Sequence, residues 1–408
     1  MQSNFCAIQG FLGVPDLRMK ASSQDEKPRV LIFHPALAPY RLDLFNAFGE
    51  VFNLKIVFLR KNLLNQKFDQ KALLGKLNVE HSFLAKGVTL RGQSFRLGAS
   101  REIREFSPDI VITPEYSMIT ASVCLCRVLL RRRFAQVVWS DDNSESSLRD
   151  SYSRKLLRYL IIPRVQGVIL ISEEAISDYR SRHNCRALMA AVPIIREEKL
   201  YVEELEASSG QVEQLIRKYS LSGRKVLLFV GRLAREKRID RLIRAYADIL
   251  SKNERLSLVL VGDGPLREEL ELLAKELGID QHVVFPGRQE HEFLAAWYRV
   301  GGVFVLPSES ELFGAVVNEA LLAGMPVICS NKAGARVLIQ HKKSGVVVDA
   351  ANFGELKGAV LEYLRHCAPV SNENVTRLRP SLMTAEFNAG VDQVRCLVEK
   401  ISAGRIER

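Results

Sequence analysis

From Arg29 onward the chain alternates short runs of apolar, β-branched residues with longer amphipathic stretches. In the first half the apolar runs fall at residues 30–34, 54–59, 110–113, 137–140, 168–172 and 187–192. The stretches 40–51, 95–106, 117–130 and 151–162 lie between them and carry the spacing of helices. Runs that are apolar at nearly every position predict strands buried on both faces, as in a parallel sheet covered by helices. Residues 196–222 break the rhythm: they are polar and charged, and read as a linker with one helix around 211–219. A second alternation follows, with strands expected at 226–230, 256–261, 283–285, 303–306, 327–330 and 346–348. Helices are expected between them at 238–251, 266–277, 290–299, 315–323 and 353–364. Residues 383–399 are amphipathic again, with Val391, Val394, Leu397 and Val398 on one face. That face suits either a plain surface helix or one that returns to the first domain.

The pattern predicts an α/β protein: a tail at 1–27, a domain at 28–195, a linker at 196–222, a second domain at 223–380, and a helix within 381–408 crossing back. Strand–helix alternation implies right-handed crossovers, and two such domains face each other across a cleft. Ligands bind in such clefts, at the carboxyl ends of the strands.

Composition narrows the picture. With 408 residues, 47% hydrophobic and 26% charged, each domain has enough apolar material for a core, which excludes a disordered or fibrous chain. Lys and Arg number 58 against 47 Asp and Glu, a net charge of +11, which points to an anionic partner: nucleic acid, a phosphorylated ligand or an acidic membrane. The seven cysteines are scattered and odd in number, without paired Cys-x-x-Cys units, so a reducing compartment is expected. No apolar run approaches the ~20 residues of a membrane span, and the first residues lack the pattern of a secretory signal.

Two loops carry candidate chemistry. Gly231-Arg232, with Lys237 five residues on, follows a predicted strand, so both cations can aim into the cleft. Two converging cations suit a diphosphate. Further on, Glu311 precedes Phe313-Gly314, where a helix opens, and Glu319 lies inside that helix. Free N–H groups at a helix start favour an anion, and Gly314 leaves room for close approach. Carboxylates beside such a site favour hydroxyls rather than a bare anion. The implied ligand therefore carries phosphates and sugars together.

These signatures resemble the retaining glycosyltransferases of the two-Rossmann (GT-B) fold, and most closely glycosyltransferase family 4 (group 1). The resembling residues are Gly231-Arg232 with Lys237, Val261-Gly262-Asp263-Gly264-Pro265, Phe285-Pro286-Gly287, Pro307-Ser308 with Glu311, Phe313-Gly314, Glu319-Ala320 and Gly324-Met325-Pro326-Val327. Gly334 and Ser344-Gly345 continue the pattern. The resemblance implies that Arg232 and Lys237 hold the diphosphate and that Glu311 bonds donor-sugar hydroxyls. Phe313, Gly314 and Ala315 would present N–H groups, Glu319 would hold the ribose, and Arg288 and Gln289 would lie against the base. In the first domain Pro39-Tyr40-Arg41 resembles the family's acceptor-side loop, with Ala38-Pro39 where many members carry two glycines. The His that many members carry after the fourth strand is absent; Asp141 and Asp142 stand there as candidate replacements. The implied activity is transfer of a sugar from a nucleotide-diphosphate sugar to a glycan or lipid-linked acceptor, without a protein base and without a cofactor. The alternatives are an altered or inactive nucleotide-sugar-binding protein and a nucleotide-sugar epimerase of the same fold.

Asp141-Asp142 is adjacent rather than spaced as Asp-x-Asp, so no metal is expected. Gly262-x-Gly264 lacks the third glycine of a dinucleotide fingerprint, because position 267 is Arg. His34, at a strand end, either faces the cleft or serves the core. The basic excess concentrates at 127–133 (Arg127, Arg131, Arg132, Arg133) and 149–164 (Arg149, Arg154, Lys155, Arg158, Arg164), among Leu156, Tyr159 and Leu160. That mixture suits an anionic membrane surface, hence a cytoplasmic, peripheral location; the alternative is a buried helix with a solvated basic edge. Aromatics are not clustered there, which disfavours nucleic acid.

Overall fold

The structure, a computed structural model, describes residues 27–63, 68–84, 86–90, 93–129, 134–141, 152–183, 185–250 and 255–406. The expected tail up to residue 26, Asp142, the arginines at 131–133 and Arg149 lie outside the described residues. The first domain runs β1 (Arg29–His34), α1 (Pro39–Val51), β2 (Asn53–Phe58), α2 (Gln70–Gly75), β3 (Glu80–Phe83), β4 (Gly87–Leu90), β5 (Gln93–Arg96), α3 (Ala99–Phe106), β6 (Ile110–Pro114), α4 (Met118–Leu129), β7 (Ala135–Trp139), α5 (Tyr152–Ile161), β8 (Gly167–Leu170), α6 (Glu173–His183) and β9 (Leu188–Ala191). The second runs α7 (Glu198–Ala207), α8 (Ser209–Lys218), β10 (Lys225–Val230), α9 (Ile239–Leu250), β11 (Leu256–Val261), α10 (Arg267–Glu276), β12 (Val283–Gly287), α11 (His291–Val300), β13 (Val303–Leu306), α12 (Ala315–Leu322), β14 (Val327–Ser330), β15 (Gly345–Val348), α13 (Phe353–His366) and α14 (Asn372–Thr376). A last helix, α15, spans Phe387–Ile406.

Seven parallel strands of the first domain lie in the order β3-β2-β1-β6-β7-β8-β9, and six of the second in the order β12-β11-β10-β13-β14-β15. In both sheets the order reverses direction beside the first strand, so β1 and β10 lead into the crevice where ligands gather. The strands are apolar on both faces because both faces are covered. Val30 and Ile32 pack with α1 and α15, while Leu31 and Phe33 pack with α3 and α4.

Two departures from the sequence pattern are informative. Residues 95–106, expected as one helix, are split: Gln93–Arg96 pairs antiparallel with Gly87–Leu90, and the helix begins only at Ala99. Gly98, at a φ of 114°, turns the chain between the two. Residues 196–222, expected as a linker with one helix, carry two, α7 and α8, whose Tyr201, Leu205, Val212 and Leu215 join the second domain's core. Residues 377–386 run back across the second domain and deliver α15 to the first. There Val391, Val394, Leu397, Val398 and Ile401 pack with Ala190, Val192 and the α1 side of the sheet. The Gln393 side chain accepts the Ala191 N–H at 2.7 Å.

The returning segment is pinned by one arginine. Arg379 donates to the carbonyls of Ala323, Gly301 and Tyr298 at 3.1, 2.6 and 2.6 Å. Burial lowers its pKa to about 10, which leaves it charged at neutral pH.

Candidate active site

The site is built from loops at the carboxyl ends of β10, β11 and β13. The first, Gly231–Arg238, packs backbone to backbone on the second: Leu233 N–H donates to Asp263 O at 3.0 Å, and Leu266 N–H to Leu233 O at 3.0 Å. A Cβ on Gly262 would lie 1.9 Å from Gly231 O, so this contact requires glycine. The third loop is tied to the first by Glu309 N–H to Glu236 O at 2.8 Å and by Arg238 to Glu309 at 2.9 Å. These bonds bring Lys237 and Glu311 into direct contact, ammonium to carboxylate. The Arg232 side chain, beside them in sequence, makes no hydrogen bond or ion pair among the described residues.

Gly314 caps α12 at φ 96°, a conformation that favours glycine. A Cβ there would also press on Leu306 and on the Glu311 side chain at 2.9 and 3.3 Å. Ala315 begins the helix, and its first N–H groups lack intrahelical partners by construction. Phe313 is buried, anchoring the turn from below. Ala335 N–H bonds Phe313 O at 2.7 Å and Gly334 N–H bonds Glu311 O at 3.3 Å, which fixes the loop's outer edge.

Glu319 follows one turn on. Tyr298 of α11 donates to its Oε2 at 2.8 Å. Burial raises the Glu319 pKa; Arg196 and the Tyr298 hydroxyl pull it back, while Glu204 and Asp43 push it up. Arg288 and Gln289 leave the end of β12. Arg288 pairs with Glu290 and lies over the Phe68 ring of the first domain, 5.7 Å from its centroid, while Gln289 donates to Pro286 O at 3.0 Å.

The first domain supplies the opposite wall. Pro39 opens α1 at a position where the missing N–H costs nothing. Tyr40 is half-buried against the second domain's core cluster; burial raises its pKa, Arg41 opposes, and Asp141 and Glu311 raise it further. Arg41 is buried, stacks on Trp139 at 4.6 Å and pairs with Asp141 at 2.5 Å. His34 sits among Phe45, Phe58 and Trp139 and bonds Ala36 O at 3.0 Å through Nδ1. Burial, seconded by Arg41, lowers its pKa to about 4, so it is a neutral core histidine. Arg336 grips both carboxylate oxygens of Glu174 at 2.6 and 2.7 Å, a further tie between the domains.

The structure thus brings Lys237, Glu311, Gly314, Ala315 and Glu319 together on one wall, with Tyr40, Arg41 and Asp141 on the other. The motifs did not single out Arg196, Tyr298, Asp43 and Glu204. Asp43 alone left a trace, as an acid inside the apolar run Leu42–Phe45. Among the described residues no group of three or more His, Cys, Asp or Glu side chains is placed to hold a metal ion.

Two parallel-sheet, Rossmann-like domains with this crevice between them define the GT-B architecture. Anabaena HepE, solved with UDP and glucose, superposes with a TM-score of 0.66 at 16% identity, over 92% of this chain and 99% of that one. A trehalose-phosphate synthase of Burkholderia vietnamiensis reaches 0.69 at 13% identity, over 93% and 100%. Residues 211–369, which hold most of the second domain, match the family described as glycosyl transferases group 1. Curated relatives agree. They include the alpha-D-kanosaminyltransferase of Streptomyces kanamyceticus, 28% identical over 59% of this chain and 62% of that protein. The alpha-monoglucosyldiacylglycerol synthase of Streptococcus pneumoniae is 31% identical over 51% and 47%. A GDP-mannose-dependent alpha-(1-6)-phosphatidylinositol monomannoside mannosyltransferase of Mycobacterium tuberculosis is 35% identical over 37% and 41%. The matched stretch spans less than two thirds of each of these relatives.

Proposed function

We propose that the protein is a retaining, metal-independent glycosyltransferase that moves a sugar from a nucleoside-diphosphate sugar to a glycan or lipid-linked acceptor in cell-surface polysaccharide or glycolipid synthesis. The observation that carries this reading is the meeting of Lys237 and Glu311 beside the Gly314 cap, with Glu319 one turn inside α12. Lys237 and Arg232 would take the diphosphate and the charge that grows on it as the sugar leaves. The N–H groups at the start of α12 would add the helix dipole. Glu311 would pass from Lys237 to a sugar hydroxyl, and Glu319, held by Tyr298, would accept the ribose hydroxyls. The new bond would form on the leaving-group face, with a phosphate oxygen taking the acceptor's proton. Low polarity between the domains strengthens each of these fields.

The test is a thermal-shift screen of uridine, guanosine and adenosine diphosphate sugars. A ligand that binds only the folded protein raises its melting temperature. No shift with any of the three overturns the reading. A second reading, binding without transfer, is favoured by one observation: Asp141, at the place of the missing His, is occupied by Arg41. A shift without turnover on any acceptor would select it.

The acceptor side points to a membrane surface at the cytoplasmic face. Helix α5 buries Leu157 and Ile161 inward, yet Tyr152, Leu156, Tyr159 and Leu160 on its other face are 84%, 48%, 77% and 44% exposed. Leu125 of α4 is also exposed. Around them, Arg127 and Arg164 bond only neutral groups, and Lys155 bonds none among the described residues. An apolar face rimmed by uncompensated cations suits an anionic bilayer. No described helix is long and apolar enough to cross a membrane. The protein is expected to sediment with phosphatidylglycerol vesicles and not with phosphatidylcholine vesicles. Replacing Leu156 and Tyr159 together by serine is expected to weaken this roughly tenfold or more, since each buried side chain contributes about 1.5–3 kcal/mol.

A further inference from the structure

The chain passes from the first domain to the second through residues 192–197, and the end of that segment holds a buried charge cluster. Arg196 Nε donates to Asp43 Oδ2 on α1 at 2.6 Å. Its Nη2 and Nη1 donate to the Glu204 carboxylate on α7 at 2.8 and 3.3 Å. Its backbone N–H donates to Asn318 Oδ1 on α12 at 2.7 Å, and Glu197 N–H adds a bond to Asp43 at 3.2 Å. The guanidinium lies over the Tyr201 ring, 5.3 Å from its centroid. Helix α1 is the element that presents Tyr40 and Arg41 to the cleft, and Asp43 lies one turn beyond Tyr40. Asn318 immediately precedes Glu319.

We propose that Arg196 is a positioning residue for the donor site: it fixes α1 of the first domain against α12 of the second, and it holds Glu319 as the carboxylate that accepts ribose hydroxyls. The inference rests on the nucleotide-sugar reading, which gives Glu319 that task. One residue bonds three helices where the chain crosses between the domains. A buried ionic cluster costs desolvation, and apolar packing commonly joins surfaces as stably, so stability alone does not call for an arginine here. Bonded to Asn318, the neighbour of Glu319, Arg196 is moreover the cation that opposes the rise of the Glu319 pKa; Asp43 and Glu204 are anions that add to it, and the Tyr298 hydroxyl donates to Glu319. Burial disfavours the Arg196 cation, but Asp43 and Glu204 overcome this and raise its pKa, so it stays charged. Without it, three carboxylates would share the pocket and Glu319 would take up a proton at higher pH.

The test is calorimetric titration of UDP, GDP and ADP, one at a time, into the full chain and into Arg196→Met and Asp43→Asn, repeated from neutral to acid pH. In the unaltered protein binding weakens on the acid side as Glu319 protonates. In Arg196→Met that acid limb is expected about one pH unit higher, a roughly tenfold weaker binding at matched acid pH. In Asp43→Asn the limb is expected to move the other way, because an anion that raises the Glu319 pKa has gone while Arg196 stays. A merely structural role would not shift the two limbs in opposite directions. Coincident limbs in all three proteins overturn the proposal. If Arg196→Met shows no cooperative melt, Asp43→Asn decides alone, and a limb that does not move down overturns it. Failure of the unaltered protein to bind any of the three nucleotides instead refutes the donor reading.

Discussion

Replacing Lys237 by alanine is expected to lower transfer about 10³-fold, mostly in kcat, while the protein still folds. The ammonium sits where Gly231–Arg238 meets the loop before α12, and it is paired with Glu311. That pair neutralises two charges on largely buried side chains. A diphosphate would compete for the lysine and free Glu311 for a hydroxyl, so one exchange would charge both halves of the donor site. On the proposed reaction, removing the ammonium would take away charge needed most as the diphosphate leaves, so kcat and not donor affinity is expected to fall. Lys237→Arg is expected to recover part of the rate, because it restores charge with different reach. Single-turnover kinetics separate the two, and an alanine variant with full turnover would remove Lys237 from the site. The melting temperature checks that folding persists.

The second large effect concerns stability. Arg379→Met is expected to destabilise the protein by about 3 kcal/mol or more, because charged hydrogen bonds are the stronger kind and three carbonyls lose their donor together. Those carbonyls belong to the end of α11 and the turn after α12, on either side of the strand that carries Glu311's loop. Lysine, with a single donor head on a flexible stem, is expected to recover only part of the loss. Urea denaturation followed by tryptophan fluorescence measures it, since Trp297 is fully buried next to this segment. A variant within about 0.5 kcal/mol of the parent would show that the returning segment is held by other contacts.

Much of the architecture was legible because the strands are buried on both sides. Leu256–Val261, Val303–Leu306 and Val327–Ser330 stand out as runs apolar at all but one position or fewer, and they are strands over those same residues. Of the four strands at the edges of the two parallel sheets, β9, β12 and β15 were expected and β3 was not. Glu80–Phe83 is a border strand with mixed polarity, and in α7 Leu200, Tyr201, Val202 and Leu205 lie among Glu198, Lys199, Glu203, Glu204 and Glu206, which made the segment read as a charged linker. Phe95 read as helix because its apolar neighbours fit that spacing; the turn at Gly98 separates it from the helix proper. At the site, Lys237, Glu311, Gly314 and Glu319 were visible because they lie in two compact motifs around helix starts. The Arg196–Asp43 pair joins residues 153 positions apart, and no local pattern announces such a partnership.

The return of α15 has a consequence for how the polypeptide is made. The face of the first sheet that carries Val30 and Ile32 is closed partly by Val394, Leu397 and Ile401, which lie near the end of the chain. Domains commonly fold as they leave the ribosome, the amino-terminal one first. Here the second domain can complete its core while the first still waits for its last helix. The domain that begins the chain is therefore the last to be finished, and a fragment ending near residue 380 would leave the ribosome with an apolar sheet face open to water.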